Sequence, residues 1–274
     1  MSPETYKMDS PKTNTRLFII LRPPILYMLT LLFLFPAIPQ LSGQNKDSLS
    51  LSKESTHFEF YSTRDDIQVL DSLATALETN YSRITDHLGI QFDRKIKVKV
   101  FPNVKVFHEA INYPNAPDWV VGTWNTDGLM VVSPLNPGSS HTYESLMQVI
   151  VHEFVHIAVY YSLGGSGMNK LPKWLSEGYA MYESCQMNQT VRRSVKASLS
   201  QKAPPTWTQL DAASMMEFGN MNGYGFSGAI VEFLINAYGI DKLASMIKEP
   251  DNIEMIYGLP KDTLEKQWVN YLKE

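Results

Sequence analysis

Apolar and polar residues alternate over His57-Phe-Glu-Phe-Tyr61 and again over Lys95-Ile-Lys-Val-Lys-Val-Phe101, which predicts two half-buried strands, the second with lysines on its wet face. Between them the period changes. Ile67, Leu70, Leu73, Ala74, Leu77, Tyr81, Ile84 and Leu88 recur in steps of three and four, so an amphipathic helix is expected, ended by Gly89. A short helix is expected over Val104 to Ile111, and a strand pair, Trp119 to Gly122 and Leu129 to Val132, around the turn signal Asn125-Thr-Asp-Gly128. The second half changes character. Tyr143 to Leu163 holds no helix breaker and runs into Gly164-Gly-Ser-Gly167; Pro172 suits the first turn of a helix reaching about Gln186. Pro204-Pro205 mark a loop, and helices are expected over Phe226 to Tyr238, Asp241 to Ile247 and Thr263 to Leu272. The pattern reads as an α+β fold, an N-terminal α/β lobe with a small sheet joined to a C-terminal helical lobe, with the substrate cleft expected between them.

The N-terminus follows different rules. Residues 1–16 are polar, and the apolar runs Leu17 to Leu21 and Ile25 to Ile38 are separated by Arg22-Pro23-Pro24 and followed by small residues up to Gly43. Residues 1–43 are therefore expected to be a tail and a signal peptide, or a signal anchor if residues 17–38 stay attached, and the rest of the chain to be exported, secreted or periplasmic. The polar stretch 44–55 reads as a linker, which leaves residues 56–274 as the folded domain.

Composition narrows the function. Of 274 residues 44% are hydrophobic, enough for a sizeable core. A net charge of -4 gives no basic excess, so nucleic acid is not an expected partner. A single cysteine, Cys185, excludes an internal disulfide and a cysteine-rich metal site, and is expected to be a small buried residue.

The chemistry lies in His152-Glu-Phe-Val-His156. On a helix the two histidines stand one turn apart on one face, where both imidazoles can reach one Zn²⁺. Glu153 sits about 100° round, beside such a metal rather than on it, which suits a base acting on water. Val149, Ile150, Val151, Phe154, Val155 and Ile157 make this helix apolar, and two histidines and an acid are costly there without a ligand. The third ligand is expected to be Glu177, in Trp174-Leu-Ser-Glu-Gly-Tyr-Ala180, because the glycine-rich reversal lets this helix run back along the first. Gly178 and Ala180 would keep the facing surface small. Glu183, six residues on and about 120° off that face, is expected to tolerate substitution.

Val151-His-Glu-Phe-Val-His156 followed by Leu171-Pro-Lys-Trp-Leu-Ser-Glu-Gly-Tyr-Ala180 resembles the gluzincin zinc peptidases, and among them the peptidase-MA-like family. The resemblance implies a zincin-like fold, His152, His156 and Glu177 as ligands, and Glu153 as the general base. Trp119-Val-Val-Gly-Thr123 with Val131-Val-Ser-Pro134 is similar to the edge-strand region before the zinc helix of that family. The Gly-x-Met-x-Asn sequence of its aminopeptidase relatives is absent.

Tyr224, on a loop before an apolar helix, is the candidate donor to the developing oxyanion, with Tyr179 and Tyr182 behind it. Residues around Gly122 can pair with an extended substrate backbone. His57, His87, His108 and His141 are expected to be structural or solvent-facing, and Met215, Met216 and Met221 core or cleft lining. The expected function is zinc-dependent hydrolysis of peptide bonds in a peptide or protein substrate. The alternative is a non-catalytic binding module braced by zinc.

Overall fold

The computed structural model describes residues 48–273; the expected signal peptide or anchor lies outside them. Five strands form one sheet: β1 (Ser50–Glu54), β2 (Phe58–Ser62), β3 (Ile96–Phe101), β4 (Gly122–Asn125) and β5 (Gly128–Val132), in the order β1-β2-β3-β5-β4. The inner pairs β2/β3 and β3/β5 are parallel, and the outer pairs β1/β2 and β4/β5 are antiparallel. Parallel neighbours require a crossover, supplied by α1 (Leu70–Leu88) between β2 and β3 and by the segment holding α2 (Val104–Ala110) between β3 and β5.

Period-two alternation does what the sequence expects of it. Phe58, Phe60, Ile96, Val98 and Val100 are buried, while Lys97 and Lys99 reach Asp127 at 3.0 and 2.7 Å on the other face. These lysines, Lys99 foremost, hold the Asp127 carboxyl below its usual range. The helix α1 lays Leu70, Leu73, Leu77, Ile84 and Leu88 on the core and closes at Gly89, whose φ of 62° suits glycine.

Three expectations fail in this half. The strand expected over Trp119 to Gly122 is β4, Gly122–Asn125, which shares only Gly122 with it and runs up to the turn. Residues 50–54, read as linker, are strand β1, paired to β2 along its length. Ile67 is not on the helix face; it lies in a 3-10 turn, Arg64–Val69, and is half exposed.

The C-terminal part is helical: α3 (Tyr143–Ser162), α4 (Lys173–Glu183), α5 (Gln189–Leu199), α6 (Trp207–Ala212), α7 (Met215–Asn220), α8 (Gly223–Tyr238), α9 (Ile240–Lys248), α10 (Ile253–Tyr257) and α11 (Lys261–Tyr271). A reciprocal capping box between Thr142 and Ser145 starts α3. Its apolar side chains seat it between α1 and the β4/β5 end of the sheet. The helices α4 and α8 form the most extensive helix pair. There Gly178 lies against the backbone of Ser227 and the side chain of Val231, so a Cβ at 178 would collide with the Ser227 carbonyl oxygen. Gly178 therefore serves the approach of α8, not that of α3 as expected. Among the described residues no helix is long and apolar enough to cross a membrane.

Candidate metal centre

His152 and His156 sit one turn apart in the middle of α3, 8% and 6% exposed, with ring centroids 4.9 Å apart. Glu177 comes from α4, which runs back along α3 after the glycine turn. Its Oε2 lies 3.2 Å from Nε2 of His152 and 3.7 Å from Nε2 of His156. One ligand atom from each residue falls within a mutual 4.8 Å.

Ligands about 2.1 Å from a tetrahedral zinc are separated from one another by about 3.4 Å, so the carboxylate–imidazole spacings match such a set. The protonation pattern points the same way. Nδ1 of His152 is 2.8 Å from Oε1 of Gln186, an atom that only accepts. That hydrogen bond places the proton on Nδ1 and leaves the Nε2 lone pair facing the Glu177 carboxylate. Two lone-pair groups at 3.2 Å repel unless a cation or a second proton lies between them. Burial would raise the Glu177 carboxyl, but the imidazoles of His156 and His152 hold it far below its ordinary value. Burial would lower His152, yet Glu177 raises it. The donor set fits a divalent metal.

The groups behind the donors are neutral. Ser184 Oγ donates to Oε1 of Gln186 at 3.1 Å, which keeps that oxygen turned toward His152. Ser176 Oγ stands 3.2 Å from Nδ1 of His156. The turn that carries Gln186 is tied to α3 again by Gln148 Nε2, which donates to the Cys185 carbonyl at 3.1 Å. Cys185 itself has φ 59° and is exposed, not buried as expected.

Glu153 does not join the three donors. It lies partly buried beside them, and burial holds its carboxyl above the usual range, with His152 and His156 opposing. Among the described residues no protein group hydrogen-bonds its carboxylate. Glu183 points away from the imidazoles, as its position on α4 implies, but it is no surface acid. It is fully buried, paired with Arg83, and 2.9 Å from Nδ1 of His87, so it ties α4 to α1.

Residues 76–274 match the profile of the peptidase MA superfamily. The chain belongs to the peptidase MA superfamily. Membership supports peptidase activity of the metal-dependent kind, and the His152–His156–Glu177 group is where a metal can sit. A comparison with curated proteins found no match.

In this peptidase MA member the three donors and Glu153 line an open pocket of about 630 Å³. Gly122 and Trp124 of β4, Met215 and Met216 of α7, and Tyr224 are part of the lining. Tyr224 is not on a loop: it lies in the first turn of α8, after Asn222 with φ 59°. Burial raises its phenol, and Glu177 and Glu153 add to the shift. Tyr179 is a core residue, 1% exposed. His57, His87 and His108 are held by Glu78, Glu183 and the Val120 carbonyl. His141 Nε2 donates to the Trp119 carbonyl at 3.1 Å, its Nδ1 lies 3.2 Å from Ser145 Oγ, and it lines the pocket. Gln186, Ser176 and Ser184 carry no sequence signal beyond their nearness to the helix that bears Glu177.

Proposed function

We propose that this protein is a zinc-dependent peptidase in which His152, His156 and Glu177 hold the metal and Glu153 is the general base. When bound, zinc would acidify a water and polarise the scissile carbonyl. Glu153 takes the proton of the attacking water and passes it to the leaving amine. Its raised proton affinity suits both halves of that task. The Tyr224 phenol, kept protonated by burial, donates a hydrogen bond to the carbonyl oxygen as charge builds on it. The β4 edge, paired only with β5 among the described strands, offers backbone groups to an extended peptide. The chain is read as exported, with residues 17–38 directing or anchoring it.

One observation carries this reading: the three donors converge while Glu153, partly buried beside them, has no hydrogen-bond partner for its carboxylate among the described residues. A module merely braced by metal gains nothing from a partly buried acid with no hydrogen-bond partner among the described residues, which is costly to keep. The test is Glu153→Gln. It should keep zinc and fold and lose peptide hydrolysis; full activity in that variant would refute the mechanism.

A further inference from the structure

The pocket around the candidate metal centre has an unequal chemistry. Its acids are Glu153 and Glu177, both already committed to the proposed reaction, and no lysine or arginine is among its lining residues. An enzyme that trims chain ends needs a group for the free end: a cation for a terminal carboxylate, or a spare acid for a terminal amine. Neither is present in the lining. Beside Thr123, His141, Gln186 and Asn220, its walls are mostly apolar. Trp119 and Trp124 line the pocket, with Trp124 on β4, Met181 is buried at 6% exposure, and Met215 and Met216 of α7 are part of the same lining.

The methionines are the informative pair. They are 50% and 51% exposed, among the few large apolar side chains of the described residues left in solvent. Their helix does not need them for folding. The core contact of α7 is made by Phe218, 1% exposed and packed edge-on against Tyr224 at 5.0 Å. Two exposed methionines beside a peptide-sized pocket form an adaptable apolar surface that can fit side chains of different shape.

We infer that the substrate is the interior of a peptide chain, cut at a bond flanked by bulky apolar side chains that lie against Trp124 of β4 and the methionines of α7. The inference rests on the peptidase reading above and adds its substrate class. An interior segment brings no terminal charge, so the uncharged walls match it. Leucine, methionine and phenylalanine side chains lose water against Met215, Met216 and Trp124, whereas a charged side chain would be desolvated there without a partner.

The test offers the zinc-loaded full-length protein short peptides in two forms, with free ends and with both ends blocked by acetyl and amide groups. Cleavage sites are read by mass spectrometry. Glu153→Gln protein is titrated with the same blocked peptides by calorimetry. Cleavage at interior Leu, Met or Phe positions, equal in blocked and free peptides and at least about 10-fold faster than at Asp or Lys positions, supports the inference. The double variant M215E/M216E should keep its zinc and shift preference toward Lys and Arg side chains. Cleavage that requires a free terminus, or a wild-type preference for charged flanks, overturns it. If no peptide is cut, the peptidase reading fails, and the calorimetry still decides: stronger binding of apolar than of charged blocked peptides sustains the pocket assignment, and equal or reversed affinity refutes it.

Discussion

A Cβ at Gly122 would lie 3.0 Å from Cγ and 3.1 Å from Oε1 of Glu153, and 2.6 Å from Cγ1 of Val149. The edge strand thus packs closely on α3 at both Val149 and the proposed general base, and glycine is what keeps Glu153 uncrowded. The constraint is space, not backbone strain.

Gly122→Ala should therefore act on the base rather than on the metal. The added methyl must displace Val149 and crowds Glu153 by a few tenths of an ångström, so the loss of rate should stay below the roughly 100-fold that a misplacement of about 1 Å costs. The expected result is a fall in kcat of about 3- to 30-fold with zinc content unchanged, measured by steady-state kinetics beside elemental analysis. Loss of zinc, or full activity, would show that β4 does not set the position of Glu153.

Glu183 gives a prediction of the opposite kind. Its carboxylate is fully buried and faces Arg83 and His87 across from α4 to α1. Glu183→Ala cuts the tie from α4 to α1 and leaves a gap in a fully buried site, while Arg83 can still reach solvent, Asn80 and the residue-183 carbonyl, so stability should fall by about 1–3 kcal/mol. Urea denaturation measures this. Zinc affinity of the folded fraction should stay as in wild type, because Glu183 faces away from the donors.

Gln186 should tune the metal without touching it. Its Oε1 fixes the tautomer and orientation of His152 from 2.8 Å. Gln186→Leu removes that acceptor and should weaken zinc binding about 10- to 100-fold, whereas Gln186→Glu, which keeps an acceptor there, should not. Competition with a metal chelator reads the difference. Equal affinity in Gln186→Leu and wild type would remove Gln186 from the account.

Acid sensitivity has a defined contributor. Burial would raise the Glu78 carboxyl, but hydrogen bonds from Ser55 and from His57, by backbone and ring, bring it below its ordinary value. A folded-state pKa lowered in this way adds stability that is fully present above the unfolded value of about 4.3 and is lost as pH falls through the folded one. Glu78→Gln should thus narrow its stability deficit against wild type below about pH 4, as followed by thermal melts across pH. A deficit that stays constant would deny the linkage.

How much of this was written in the sequence follows from distance along the chain. The two histidines and Glu153 depend on helical spacing alone, so His152-Glu-Phe-Val-His156 specifies their mutual geometry before any packing is known. Glu177 required one more step, the glycine reversal after α3, and that too is local. What packs against what was not legible. Gly178 looked like a contact for α3 and instead receives α8, because a rotation of about 100° from Glu177 turns it to another neighbour. Glu183 looked like a free acid because its partners, Arg83 and His87, lie a hundred residues earlier on α1. Strand β1 was hidden because Ser50–Glu54 is an edge strand with no buried residue, so it has no apolar alternation to show. The short helices α6 and α7 are also weak in apolar period, yet each opens with a capping box, Thr206 with Gln209 and Ser214 with Glu217, which is a local mark of a helix start.

The central claim is that His152, His156 and Glu177 together hold one catalytic metal, and zinc content tests it most directly. Full-length wild type and the variants His152→Ala, His156→Ala and Glu177→Ala would be purified in parallel and analysed for bound metal, with circular dichroism to confirm the fold. The account predicts about one zinc per wild-type chain and loss of it in each variant. A folded triple-alanine variant that still carries stoichiometric zinc, or a wild-type protein that binds none when zinc is supplied, would contradict it.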